Sequence, residues 1–127
     1  MNLKGRFDTI FFDADDTLWE NEAFFRAAEA RFTELLADYT EPEGLQELLW
    51  RKQEDNIPLF GYGSKTYMIG MTDAAVELCG GHLPDRIYHG IKKIITDLAY
   101  HEFELIDGVE EVLQALYGRY RLIVATK

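Results

Sequence analysis

Two short segments of β-branched and aromatic residues, near opposite ends of the sequence, restrict the folds open to this chain. They are Phe7–Phe12 and Arg121–Thr126, and neither shows the spacing of an amphipathic helix. Hydrophobic residues between them recur instead at helical intervals. Parallel strands need a long crossover connection, whereas antiparallel strands can be joined by a tight turn. The order therefore favours a parallel pair of strands with a large helical insertion.

The insertion divides into several predicted helices. Hydrophobic periodicity, with prolines at helix starts and glycines at helix ends, predicts helices over 22–39, 42–50, 64–78, 84–98 and 109–116. Ser64 is the expected N-cap of the third helix. The stretch 56–63, which contains Pro58 and glycines, is expected to form a loop. The sequence thus predicts an α/β protein.

The chain is acidic, with a formal net charge of -10 over 127 residues. Nucleic acids and anionic membranes are polyanions that require a basic surface, so we expect neither as a partner. A small phosphate ester remains compatible, because one local cation can outweigh distant negative charge. Cys79 is the only cysteine, which excludes an internal disulfide and indicates a reducing cytoplasm. Residues 1–12 contain no apolar run long enough for a signal peptide, and we expect no later stretch to span a bilayer.

The first strand segment runs directly into an acidic cluster, Asp13–Asp16. A solvated acidic turn is one interpretation, because aspartate favours turns. Three carboxylates placed after a buried strand repel one another, however, and such a cluster usually has a cation to neutralise it. A calcium loop of the EF-hand type is excluded, because the positions that require glycine and glutamate hold Leu18 and Phe24.

Phosphoryl transfer is the third interpretation of the acidic cluster. One carboxylate can attack phosphorus to form an aspartyl-phosphate, while a second protonates the leaving oxygen and later activates water. Asp13 and Asp15 are two residues apart, so on an extended loop their side chains can flank one reacting centre. A divalent cation is needed for an anionic nucleophile to approach an anionic phosphate.

The segment Ile10–Leu18 resembles the first signature of the haloacid dehalogenase-like (HAD) hydrolase superfamily, an apolar strand followed by Asp-x-Asp-x-Thr. Leu122–Thr126 is similar to the second signature, an apolar strand that ends in Thr or Ser. Members that displace halide lack the second aspartate of the motif, so the presence of Asp15 favours hydrolysis of a small phosphate monoester. Asp16 departs from the glycine of many members, but aspartate enters left-handed conformations at low cost.

The resemblance also implies a role for each matching residue. Asp13 is the nucleophile and Asp15 is the general acid/base. The Asp13 carboxylate and the Asp15 backbone carbonyl are expected to bind Mg²⁺. Thr126 is expected to hydrogen-bond the transferring phosphoryl group, and Lys127 to supply a backbone amide there.

By the same resemblance, the fold is an incomplete HAD-like Rossmannoid core, with two parallel strands present and an inserted α-helical cap of the C1 type. Residues 1–19 and 102–127 are assigned to the core and residues 20–101 to the cap. The superfamily's remaining signatures, a lysine and an acidic pair, would follow Lys127. We therefore expect a truncated chain that by itself binds Mg²⁺ weakly and turns over little.

Two further expectations remain open at this stage. An incomplete core leaves an apolar unpaired edge, so self-association is expected. The alternative to an enzyme is a non-catalytic helical association module that retains the acidic motif as a relic. A receiver domain fits less well, because its acceptor aspartate follows a later strand than its acidic pair.

Overall fold

The computed structural model describes residues 5–126, which form two compact units. The first unit combines the residues up to Phe24 with those from Glu102 onward, and the second is Phe25–His101. The elements in chain order are β1 (Thr9–Asp13), α1 (Glu22–Leu35), α2 (Pro42–Phe60), α3 (Ser64–Leu78), α4 (Asp85–Ala99), α5 (Val109–Leu116) and β2 (Arg121–Ala125). This order confirms the predicted α/β class, with the strands on either side of a helical block.

Strands β1 and β2 pair in parallel, with a register that runs from Thr9 opposite Arg121 to Asp13 opposite Ala125. The parallel pairing was predicted, but the expectation that β1 is a buried strand is wrong. Phe12 is half-buried and faces helix α5, whereas Phe11 is 66% exposed, because successive side chains point to opposite faces of a strand. Within residues 5–126, β1 is therefore covered on one face only, which corrects the expectation of a buried strand.

Helices α1–α4 enclose the hydrophobic core of the second unit. The apolar residues that recur at helical spacing in α4 are all buried, which confirms the predicted periodicity; they are Ile87, Ile91, Ile94, Ile95 and Leu98. Gly90 allows α4 to approach α1 closely, because a Cβ atom there would lie 2.7 Å from Leu35 Cδ1. The largest side chains that are almost fully buried are Phe32, Leu36, Leu45, Met71, Ile87 and Ile91. Across residues 5–126, no helix is long and apolar enough to cross a membrane.

Helix α2 continues through Pro58 to Phe60, so the predicted loop at 56–63 is wrong over its first five residues. The reason is a buried contact with α3. Asn56 is 7% exposed, and its Nδ2 donates to Asp73 Oδ2 at 2.9 Å. That hydrogen bond anchors the last turns of α2 and offsets the helical hydrogen bond that a proline cannot donate.

The ends of two other helices also differ from prediction. Helix α1 ends at Leu35, and residues 36–39 form a turn rather than a further helical turn. Ser64 is the first residue of α3 and not its N-cap. The N-cap is Gly63, whose φ of 131° is a conformation that favours glycine.

Candidate active site

The carboxyl ends of the two strands bring predicted site residues to one edge of the sheet. Asp13 is the last residue of β1 and pairs with Ala125, the last residue of β2. Thr126 follows directly, so Asp13 and Thr126 lie at the same edge, which is where ligands bind in parallel α/β sheets. Both residues are exposed. Lys127, the fourth predicted site residue, lies outside the described part of the chain.

A tight turn follows β1 and presents the carboxylates to solvent. The carbonyl of Ala14 accepts the backbone N–H of Thr17 at 3.1 Å and that of Leu18 at 2.8 Å. Ala14 is 1% exposed and Leu18 is 4% exposed, so both side chains anchor the turn in the first unit. Asp13 and Asp15 remain exposed. The turn therefore fixes the backbone while leaving both predicted catalytic side chains accessible.

Thr17 holds the side chain of Asp13. Its Oγ1 donates to Asp13 Oδ2 at 2.8 Å. Sequence reasoning did not assign Thr17 to the site, although the threonine of the Asp-x-Asp-x-Thr signature was the signal that could have found it. Thr17 therefore engages one of the two carboxylate oxygens of Asp13, Oδ2.

Asp16 links the turn to helix α1. Its φ of 57° confirms that aspartate occupies a left-handed position here. Its Oδ1 also accepts the backbone N–H groups of Asn21 at 2.9 Å and of Glu22 at 3.0 Å. These are donors at the start of a helix, which lack intrahelical partners. Sequence analysis predicted the turn but missed this contact.

Asp15 has an aromatic partner. Trp19 Nε1 donates to Asp15 Oδ1 at 3.0 Å, and the backbones of the two residues form an isolated β-bridge. This contact was also not predicted. Each of the three aspartates thus has a different partner: Thr17 for Asp13, Trp19 for Asp15, and the start of α1 for Asp16.

The donors at this edge are oxygens, which is the ligand type that Mg²⁺ prefers. The carboxylate of Asp13 and the backbone carbonyl of Asp15 are the atoms predicted to hold it. In the described part of the chain, no three Asp, Glu, His or Cys side chains form a group that could hold a metal ion. Residues 5–126 therefore fit Mg²⁺ in ligand chemistry but supply only part of a coordination shell.

A depression of about 230 Å³ in the first unit lies beside the strand, not at the acidic turn. Phe12, Leu18 and helix α5 line it, whereas Asp13 and Asp15 do not. Its lining is mainly apolar, so it lacks the charged donors that a phosphate group requires. The candidate site is instead the open edge formed by Asp13, Asp15 and Thr126.

Comparison with solved structures found a similar fold. A haloacid dehalogenase-like family hydrolase from Xanthomonas campestris superposes with a TM-score of 0.85 at 32% sequence identity. The match covers 93% of this chain and 49% of the Xanthomonas chain, so this chain spans about half the length of that relative. No family model and no curated protein matches the sequence.

The fold, the strand ends and the first signature point to the same family. The strand that leads into Asp13, the parallel partner that ends before Thr126 and the helical block between them all occur in one chain. The structural match covers 93% of the present chain. The chain belongs to the haloacid dehalogenase-like superfamily.

Proposed function

We propose that this chain carries the nucleophile and the general acid/base of a magnesium-dependent phosphohydrolase that acts on a small phosphate monoester. The observation that supports this most directly is the setting of Asp13. It is exposed at the carboxyl end of β1, one of its oxygens is held by Thr17, and Thr126 lies at the same edge of the sheet. A carboxylate fixed in this way is oriented for attack rather than free to rotate.

The proposed reaction has two steps. In the first, Asp13 Oδ1 attacks phosphorus, the bond from phosphorus to the ester oxygen breaks, and protonated Asp15 gives its proton to the departing oxygen. In the second, Asp15 takes a proton from water, and the resulting hydroxide attacks the aspartyl-phosphate. The bond from phosphorus to Asp13 then breaks, which releases inorganic phosphate and regenerates the carboxylate.

Other groups at the edge are proposed to bind rather than to react. The hydroxyl of Thr126 donates to a phosphoryl oxygen, and the backbone amide of Lys127 is proposed to do the same. Mg²⁺ would be held by the Asp13 carboxylate and the Asp15 carbonyl. When bound, it reduces the repulsion between the anionic nucleophile and the anionic phosphate.

The substrate is proposed to be a small phosphorylated metabolite. The net charge of -10 disfavours nucleic acids and anionic membrane surfaces as partners. The helical residues 20–101 are proposed to act as the cap that selects the substrate. Cys79 is a half-buried free thiol, which suits the reducing environment of the cytoplasm, where we propose that the protein acts.

The test uses the protein as its gene encodes it, with any residues that follow Lys127, here termed the extended protein. We expect the extended protein to hydrolyse p-nitrophenyl phosphate in the presence of Mg²⁺ and to lose this activity with EDTA. Asp13→Asn is expected to abolish turnover, because an amide cannot form the aspartyl-phosphate. Acid-quenched mass spectrometry should detect the phosphorylated enzyme in the wild type and not in this variant.

A matched control lies in the same turn. Asp16→Asn changes the same residue type but leaves both proposed catalytic carboxylates in place, so turnover should stay near that of the wild type. If Asp13→Asn retains magnesium-dependent hydrolysis, Asp13 is not the nucleophile. If the wild-type extended protein shows neither magnesium-dependent hydrolysis nor a phosphoenzyme, the rival function, a non-catalytic association module with a relic motif, becomes the better account.

A further inference from the structure

Trp19 contacts the proposed general acid/base directly. Its indole nitrogen donates to Asp15 Oδ1 at 3.0 Å. The backbone of the same turn supports this contact, because the carbonyl of Trp19 accepts the N–H of Asp16 at 2.8 Å. Trp19 itself is half-buried, so its ring is partly removed from solvent. The indole is thus placed by the turn that also carries the carboxylate.

A second segment of the first unit holds the indole ring. Phe103 packs edge-on against Trp19, with ring centroids 5.2 Å apart and an interplanar angle of 61°. The backbone of Trp19 forms an antiparallel bridge with Leu105. On either side of Trp19, the N–H of Ile106 donates to Leu18 O at 3.1 Å, and the N–H of Glu20 donates to the carbonyl of Glu104 at 2.9 Å.

The chemistry of the indole distinguishes the two oxygens of Asp15. An indole N–H is a donor only, so the oxygen that faces it must act as an acceptor. Oδ1 is that oxygen. In a protonated carboxyl group the carbonyl oxygen is a stronger acceptor than the hydroxyl oxygen, so the indole favours the proton on Oδ2, the atom from which it can pass to a leaving group. Rotation of the carboxyl group would break the hydrogen bond to Trp19.

From this geometry we infer that Trp19 is a positioning residue, which fixes the Asp15 carboxyl group so that Oδ2 delivers the proton to the leaving oxygen of the substrate. Phe103 and the bridge to Leu105 serve to hold the indole in place. The inference rests on the proposed function for the direction of proton transfer. The hydrogen bond itself can be tested independently of any activity.

The first experiment detects the hydrogen bond in this chain by NMR. Trp19 and Trp50 are the only tryptophans, so a ¹H–¹⁵N spectrum contains two indole signals, and Trp50→Phe assigns them. Asp15→Ala is expected to shift the Trp19 indole proton upfield, because its acceptor is removed, while Asp16→Asn leaves it in place. An unchanged Trp19 signal in Asp15→Ala would overturn the inference.

The second experiment compares leaving groups in the extended protein. Trp19→Phe keeps an aromatic ring but removes the donor. We expect kcat/KM for an alkyl phosphate, whose leaving oxygen needs a proton, to fall by roughly 10-fold. For p-nitrophenyl phosphate, whose leaving group departs without a proton, kcat/KM should change by less than about 2-fold. Trp50→Phe, at a tryptophan that is 68% exposed, should leave both values unchanged.

The outcomes separate this inference from the proposed function. If Trp19→Phe slows the hydrolysis of both substrates equally, Trp19 has a merely structural role. If it slows neither, Trp19 has no role in proton delivery. Either result overturns the inference. Failure of the proposed function appears elsewhere, as activity that survives Asp13→Asn. In that event the NMR shift still reports whether Trp19 holds Asp15.

Discussion

The carboxylate of Asp16 accepts the backbone N–H of Glu22, with Oδ1 and Oδ2 lying 3.0 Å and 3.2 Å from the nitrogen. Glu22 is the first residue of helix α1, so a negative charge stands where the helix dipole is positive. The same residue occupies the left-handed position of the acidic turn. One side chain therefore both shapes the acidic turn and fixes the start of the helix that follows.

This double role predicts a graded series at position 16. Asp16→Ala loses the helix contact and also places alanine at φ of 57°, so we expect destabilisation by about 2 kcal/mol. Asp16→Asn keeps an acceptor oxygen and tolerates the left-handed conformation, so its loss should be below about 1 kcal/mol. Urea unfolding followed by circular dichroism measures both. Equal stability of the two variants would contradict the double role.

Thr17 is predicted to orient Asp13, the proposed nucleophile. Thr17→Val keeps the shape of the side chain but removes the hydroxyl that donates to Asp13 Oδ2. A lost hydrogen bond to a charged group corresponds to roughly 10-fold in rate, so kcat of the extended protein should fall by about that factor. Thr17→Ser retains the donor and should stay close to the wild type. If Val and Ser variants have equal kcat, the hydroxyl does not position Asp13.

Tyr67 gives the second unit a predictable response to alkaline pH. Its hydroxyl donates to Glu29 Oε1 at 2.7 Å. Burial, together with this hydrogen bond and the nearby negative charge of Glu29, raises the pKa of Tyr67 far above its ordinary value of 10.0. Above pH 10.0 the unfolded chain therefore releases a proton that the folded chain retains, so stability falls as pH rises.

In Tyr67→Phe, the free energy of unfolding is expected to fall less steeply above pH 10.0 than in the wild type. At lower pH the variant should be less stable by about 1 kcal/mol, because the hydrogen bond to Glu29 is missing. Urea midpoints measured at about pH 8 and about pH 11 test this. Tyr100→Phe is the control, because it removes the hydroxyl of a tyrosine that is 85% exposed. If the urea midpoint of Tyr67→Phe falls with pH as steeply as that of the wild type, Tyr67 is not the source of the pH dependence.

The chain of 127 residues is predicted to turn over little by itself. Its described residues supply one carboxylate and one carbonyl at the proposed magnesium site, which leaves most of an octahedral shell to water. We expect weak Mg²⁺ binding by calorimetry and little release of p-nitrophenol at saturating Mg²⁺. Robust turnover that is lost in Asp13→Asn would show that the chain is competent alone.

Self-association is predicted from the first unit. Among the described residues, β1 and β2 pair only with each other, so each leaves an unpaired edge, and Phe11 is 66% exposed. We propose that a second copy of the chain covers this surface, so light scattering should show a mass that rises with concentration. Phe11→Thr keeps strand propensity but removes the apolar ring, and should reduce the association.

Trp50→Gln provides the comparison for that experiment. It removes another exposed aromatic ring, 68% exposed on helix α2, which does not belong to the sheet. We expect the association to persist in this variant. A monomer mass for the wild type over a wide range of concentrations would rule out the proposed contact between copies.

The sequence by itself determined the features that depend on local spacing. Two strands at opposite ends, their parallel pairing, the amphipathic face of α4 and the turn at Asp16 all follow from periodicity or from the backbone preference of one residue. The acidic signature after β1 belongs to this group, because its meaning lies in residue types at fixed spacing. These features need no knowledge of distant contacts.

Only the tertiary structure decided what the side chains contact. The sequence predicted that the second helix ends before Pro58. In the structure α2 continues to Phe60, and Asn56 near its end donates a hydrogen bond to Asp73 on helix α3. The pairing of Trp19 with Asp15 depends on the path of the turn and on the ring of Phe103, far away in sequence. Such contacts arise when the chain brings distant groups together in space, and spacing along the sequence does not encode them.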